Sequence, residues 1–132
     1  MYESWHGNPP ANASSIADAE RRLGAFPRDY RVFLLKHNGG EGPIGKTYLA
    51  LWRVEDLVQR NEAYCVTTYA PGLLLFGSDG GGEGYGFDTR KQPGRVVMIP
   101  FILMTWLEAS YLSGDFAAFM KRLEDGYDPS PD

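Results

Sequence analysis

Apolar positions first recur at helical spacing where Ile16, Ala19 and Leu23 fall on one side of the chain, and Gly24 closes the run. Ser14 or Ser15 reads as the cap of this helix, with Asp18 in the capping-box position after Ser15. A second helical pattern opens at Pro27, sets Tyr30, Phe33, Leu34 and His37 on one side, and stops at Asn38-Gly39-Gly40. Residues 47–52 are rich in β formers and predict a strand. Residues 54–63 predict a third helix, whose early Glu55 and Asp56 suit the positive end of its dipole. Residues 64–69 read as a strand or an extended link that Pro71-Gly72 ends.

The apolar run Leu73-Leu74-Leu75-Phe76 predicts a buried strand leading into a glycine turn, with residues 83–88 as the returning strand and 95–99 as the next. Between residues 101 and 111 the apolar positions follow neither period. Asp115 caps a last helix that turns Phe116, Phe119, Met120 and Leu123 inward and ends at Gly126. Helices, then strands with one helix among them, then a helix describe an α+β fold rather than alternating βαβ units. The expected organisation is an irregular lead-in over 1–13, one domain over 14–125 and an acidic tail over 126–132.

A chain of 132 residues with 43% hydrophobic and 23% charged positions has the composition of one ordinary globular domain. Its formal charge of −4 disfavours binding to a phosphate backbone, which needs clustered Lys and Arg, and fits a basic protein partner better. A single cysteine, Cys65, cannot form an internal disulfide, which points to a reducing compartment, and its apolar neighbours read it as a buried, inert thiol. The first residues lack the basic and apolar regions of a signal peptide, and the longest apolar run, 96–104, is broken by Pro100. A cytoplasmic protein off the membrane is therefore expected.

Six of the 16 glycines lie within residues 77–86, beside Asp79, Glu83 and Asp88 and with no basic residue in the segment. A hairpin here gathers carboxylates and Tyr85 around an exposed bend. The spacing lacks the alternating ligands of a calcium loop, and one cysteine with two histidines makes no zinc pattern. Gly40 to Thr47 matches the phosphate-binding loop G-x-x-x-x-G-K-[ST] letter for letter. That loop works between a strand and a helix, whose first amides hold the phosphates, whereas a helical pattern precedes this one and a strand pattern follows it. The match is read as chance. His37 reads as a partner for a helix C-terminus rather than a base, and Trp52 and Trp106 read as core. No nucleophile, metal or cofactor site emerges, and no enzyme is expected.

The ordered set Glu20, Leu23-Gly24, Phe26-Pro27-Arg28-Asp29-Tyr30, Phe33-Leu34, Asn38-Gly39-Gly40, Trp52, Asn61, residues 76–83, Tyr85-Gly86-Phe87-Asp88 and Asp115-Phe116-Ala117-Ala118-Phe119 resembles one family. It is similar to the SUKH superfamily, which includes Smi/Knr-type fungal cell-wall regulators and many small bacterial proteins. The order and spacing of the pieces, over roughly residues 14–123, carry the likeness; Phe26 stands where the family usually has Leu before the Pro. The resemblance implies a central, mostly antiparallel sheet flanked by helices. For a compact bacterial member it implies an immunity protein that binds a cognate toxin, often a nuclease, and blocks it. It implies no catalytic residues.

On that expectation an acidic protein occupies the basic cleft of its toxin, charge steering the encounter and aromatic groups adding affinity. The candidate contact residues are Asp79, Glu83 and Tyr85 at the hairpin, with Glu41 and Tyr48. The competing expectation is a regulatory or scaffold module of the same fold with a non-toxin partner.

Overall fold

A computed structural model describes residues 4–91 and 94–130. The first three residues of the lead-in, residues 92 and 93 of the loop before the 95–99 strand, and residues 131 and 132 of the tail lie outside the described residues. Among those described, seven strands form one antiparallel sheet in chain order, each pairing with the next. They are β1 (His6–Gly7), β2 (Gly40–Ile44), β3 (Thr47–Leu51), β4 (Leu73–Ser78), β5 (Glu83–Asp88), β6 (Arg95–Pro100) and β7 (Ser110–Ser113). The helices are α1 (Ala13–Leu23), α2 (Arg28–Leu34), α3 (Val54–Ala63), α4 (Val66–Tyr69) and α5 (Phe116–Glu124). The fold is α+β, with the antiparallel sheet flanked by helices, as expected.

Strand alternation decides which residues meet which helices. On one face Tyr85 lies 5.0 Å from Phe119 of α5, and Phe87 lies 5.3 Å from Tyr30 of α2, between ring centroids. Phe76 completes this core, with the rings of Tyr30, Phe87, Phe116 and Phe119 all within 5.8 Å of its own. Each such tilted aromatic contact adds about 0.5–1.5 kcal/mol beyond the area it buries. On the other face Gly84 and Gly86 leave room instead of filling it. A Cβ at Gly86 would sit 2.8 Å from the Leu73 side chain, and one at Gly84 would sit 2.7 Å from the Phe101 ring. Phe101 is what occupies the space above the glycine hairpin, stacked on Tyr64 at 4.2 Å and 11°.

Polar residues of the family-like set hold these layers together. Glu20 accepts the Phe26 backbone N–H at 2.8 Å and the Arg31 guanidinium at 2.9 Å, joining α1 to the start of α2. Asp115 caps α5 by accepting the Ala118 N–H at 2.7 Å, and Asp29 adds a second acceptor from α2, taking the Ala117 N–H at 2.9 Å. Asn38 accepts the Val54 N–H at 2.8 Å and donates to Glu55, which seats α3. Asn61 accepts from Leu75 N–H at 2.9 Å and donates to the Leu75 carbonyl at 3.0 Å. Because β3 pairs with β4 only at Ser78 and Gly77, the Asn61 amide stands in for a neighbouring strand at Leu75. Phe26 is buried against Tyr30 at 5.3 Å, so the larger ring before Pro27 is absorbed by the core.

Several expectations change. The start of the chain is not irregular throughout: β1 extends the sheet, and Trp5 is buried and donates its indole N–H to the Leu49 carbonyl at 2.9 Å. Asn12, not Ser14 or Ser15, caps α1 by accepting the Ser15 N–H at 2.8 Å. His37 places Nδ1 3.3 Å from the Asn8 carbonyl, fastening the lead-in rather than a helix end. Residues 66–69 are helical, because Cys65 takes a left-handed φ of 53° that starts a new turn, and the Cys65 side chain is exposed, not buried. Trp52 is buried as expected, while Trp106 is half-buried, donating to the Pro71 carbonyl at 2.9 Å.

Candidate functional site

The phosphate-loop lookalike is a β-hairpin. β2 and β3 flank a turn at Gly45 and Lys46, so no helix start faces the loop. A Cβ at Gly45, whose φ is 55°, would collide with the Leu123 carbonyl at the end of α5. This hairpin instead delivers Glu41 and Tyr48 to the neighbourhood of the glycine turn. Tyr48 stands opposite Pro43, and its hydroxyl donates to the carboxylate of Glu41, a diagonal neighbour on β2. The bond to the Glu41 carboxylate raises the Tyr48 pKa above the usual phenol value.

The Tyr48 ring also reaches the turn between β4 and β5. A Cβ on Gly80, which has a φ of 83°, would lie 2.9 Å from that ring, so only glycine lets the turn close over Tyr48. Within the turn the Asp79 carboxylate accepts the N–H groups of Gly81 at 2.8 Å and Glu83 at 3.2 Å. Glu83 begins β5 and is half-buried; partial desolvation, then the charge of Asp79, raise its pKa above the ordinary carboxylate value. Register places Glu41 and Tyr48 on the Gly84 face of the sheet and Glu83 on the Tyr85 face, so these acidic groups flank the Asp79 turn from its two sides. Asp128 of the tail is close enough to act on the same region, since its charge, with those of Asp79 and Glu83, bears on Tyr85.

Two residues leave the expected constellation. Tyr85 is 0% exposed, packed under Phe119, with its hydroxyl lacking a hydrogen-bond partner among the described residues. Burial drives its pKa well above the usual phenol range. It supports the surface from beneath and cannot touch a partner. The alternation Gly84-Tyr85-Gly86-Phe87, with both aromatics on one face of a strand, was the signal for this inward direction. Asp88 lies at the opposite end of β5, where Arg90 grips its two oxygens at 3.0 and 3.1 Å and lays its guanidinium 3.6 Å over Trp106. The exposed bend thus carries two carboxylates of its own, not three.

Elsewhere a groove of about 890 Å³ lies between α2 and α5, lined by Phe26, Phe33, Phe116 and Met120 among others. Among the described residues no group of three or more His, Cys, Asp or Glu side chains is placed to hold a metal ion. No helix of the described residues is long and apolar enough to cross a membrane. The arrangement around the turn offers negative charge and an aromatic ring, Tyr48, to a second molecule.

A sequence profile described as the SMI1/KNR4 family (SUKH-1) matches residues 10–122. The uncharacterized protein YnaB of Bacillus subtilis (strain 168) is 38% identical over 89 residues, covering 67% of this chain. The match covers 57% of that relative, so the chain corresponds to little more than half its length.

Proposed function

The chain belongs to the SMI1/KNR4 family (SUKH-1), and we propose that it is a non-enzymatic protein-binding domain that neutralises a cognate bacterial toxin in the cytoplasm. The toxin it fits is a nuclease-like protein with a basic cleft. The observation that carries this reading is the acidic end of the β4–β5 hairpin, where Asp79 and Glu83 lie together and Tyr48, bonded to Glu41, packs against Gly80. A cleft built for phosphates is lined with Lys and Arg, and such a surface can occupy it, with encounter sped by opposite charge. The overall charge of −4 acts in the same sense.

The test is capture from native cell extract with tagged protein, at about 0.05 and about 0.5 M salt, since exposed charge contacts are screened at the higher value. One basic, toxin-like protein recovered in near-equal amount, and lost at high salt, is expected. Recovery of a regulator instead makes the chain a scaffold module of the same fold. Glu83→Lys combined with Glu41→Lys is the sharper probe, because Asp79 also shapes its own turn. The pair should weaken the complex at least about tenfold, or 1.4 kcal/mol, while leaving the melting temperature nearly unchanged. Undiminished affinity removes the acidic surface from the contact.

A further inference from the structure

Residues 101–111, which follow neither helical nor strand period, contain the most exposed aliphatic side chains of the protein among the described residues: Ile102 at 83%, Leu103 at 74% and Leu107 at 93%. Resting on the basic-partner reading above, we propose that Ile102 and Leu103 are the apolar anchor of that same interface, entering an apolar pocket beside the partner's basic cleft.

Position is the first support. β6 ends at Pro100, directly opposite Glu83, and the next residue, Phe101, donates its N–H to the Gly82 carbonyl at 2.9 Å. Ile102 and Leu103 therefore leave the sheet beside the acidic turn. Their presentation is the second. Phe101 is stacked on Tyr64 and fills the space over Gly84, while Met104 is buried, so the exposed pair is held between two fixed points.

Backbone conformation is the third. Leu103 has a φ of 62°, a left-handed geometry that glycine or asparagine adopts far more readily than leucine. A leucine with its side chain in water gains nothing from the core in return for that strain. Strain retained without a stabilising contact is characteristic of binding positions. An apolar centre rimmed by charge is also how interfaces concentrate affinity, the rim steering and the centre anchoring. The α2–α5 groove is lined by Arg28 and Lys36 but also by Asp29 and Asp115, so it offers no net negative charge to draw a basic partner.

The experiment titrates the intact chain with two synthetic helical peptides. One carries lysines along one face and leucines along the other; its control has serine at every leucine. Binding is followed by methyl NMR, so that the site is read as well as the affinity. The leucine peptide should bind at least about tenfold more tightly than the control, shifting the methyl signals of Ile102 and Leu103 together with the amides of 80–83. Ile102→Ser with Leu103→Ser should erase the preference and melt within about 3 °C of the parent, and Val32→Ser, on the exposed side of α2, should leave it intact. Equal binding of both peptides at the acidic turn overturns the anchor and leaves the basic-partner reading standing. Leucine-dependent shifts confined to the α2–α5 groove overturn it as well, and no binding of either peptide counts against both.

Discussion

Two sets of polar residues divide the molecule. Asp29, Asn38, Asn61 and Glu20 spend their side-chain oxygens on backbone N–H groups of neighbouring elements. Glu41 and Glu83 accept no backbone N–H among the described residues, although Glu41 does hold the Tyr48 hydroxyl, and both are at least partly open to solvent. Asp79 belongs to both sets, because it shapes its own turn and faces outward. The first set makes the family-like pattern visible in the chain, and it does so by holding layers together. The family-like pattern is carried partly by residues whose oxygens are used inside the fold and partly by the turn 76–83, which holds Asp79 and Glu83.

Asn61 offers the largest break in this comparison. Its replacement by Leu leaves the N–H and the carbonyl of Leu75 without their partner inside the protein. Two orphaned buried groups at about 1–3 kcal/mol each should cost about 3 kcal/mol or more, a large share of a typical domain's stability, measured as a fall in urea midpoint. If the loss is under about 1 kcal/mol, the amide is not a substitute for a strand.

Asp29→Ala comes next. It removes one of two acceptors at the first turn of α5 while the N-cap Asp115 stays, so the cost should be about 0.5–1 kcal/mol, the lower part of the range for a lost cap. Urea melts should show it, and hydrogen exchange should locate the loss in the first turn of α5 at Ala117. Affinity for the basic partner should be unchanged once the variant is folded, which is the mirror image of the Glu41 and Glu83 reversal.

The chain made some of this legible and hid the rest for physical reasons. The glycine hairpin was readable because a buried apolar run, a turn and an alternating strand coincide, and α3 and α5 because their apolar positions keep helical period. β2 was hidden because Gly40-Glu41-Gly42-Pro43-Ile44 has almost no β formers; register with β3 makes it a strand, not propensity. β7 was hidden in the same way, being four residues at a sheet edge with a partner on one side only. Of the candidate site, Asp79 and Glu83 were placed by the hairpin itself. That Tyr48, bonded to Glu41, reaches the same turn at Gly80 follows from long-range strand order, which local spacing does not carry. Ile102 and Leu103 had the opposite fate: the absence of any period was their signal, since a chain with no face to bury leaves its apolar residues outside.

The smallest effect sharpens the comparison through pH. Scaffold acids are held below their ordinary values, Asp88 by the Arg90 bond and Glu55 by the Asn38 bond; for Glu20, partial burial works the other way but is outweighed by Arg31 and the Phe26 N–H. A depressed carboxylate supplies stability above its unfolded pKa that is lost as pH falls through the folded one. Glu83 is raised, so the sign reverses. Its charged form is disfavoured in the folded chain, and the protein sheds that cost as Glu83 takes up a proton on acidification. Glu83→Gln removes this titration. At neutral pH the variant should be more stable by a few tenths of a kcal/mol, the scale of surface changes. The advantage should shrink as pH falls through the raised pKa and vanish just below about pH 4, where the unfolded carboxyl is also protonated. A constant difference across that range would mean that Glu83 is relaxed in the free protein; a shrinking one means that the fold disfavours its charged form, through partial desolvation first and the charge of Asp79 second.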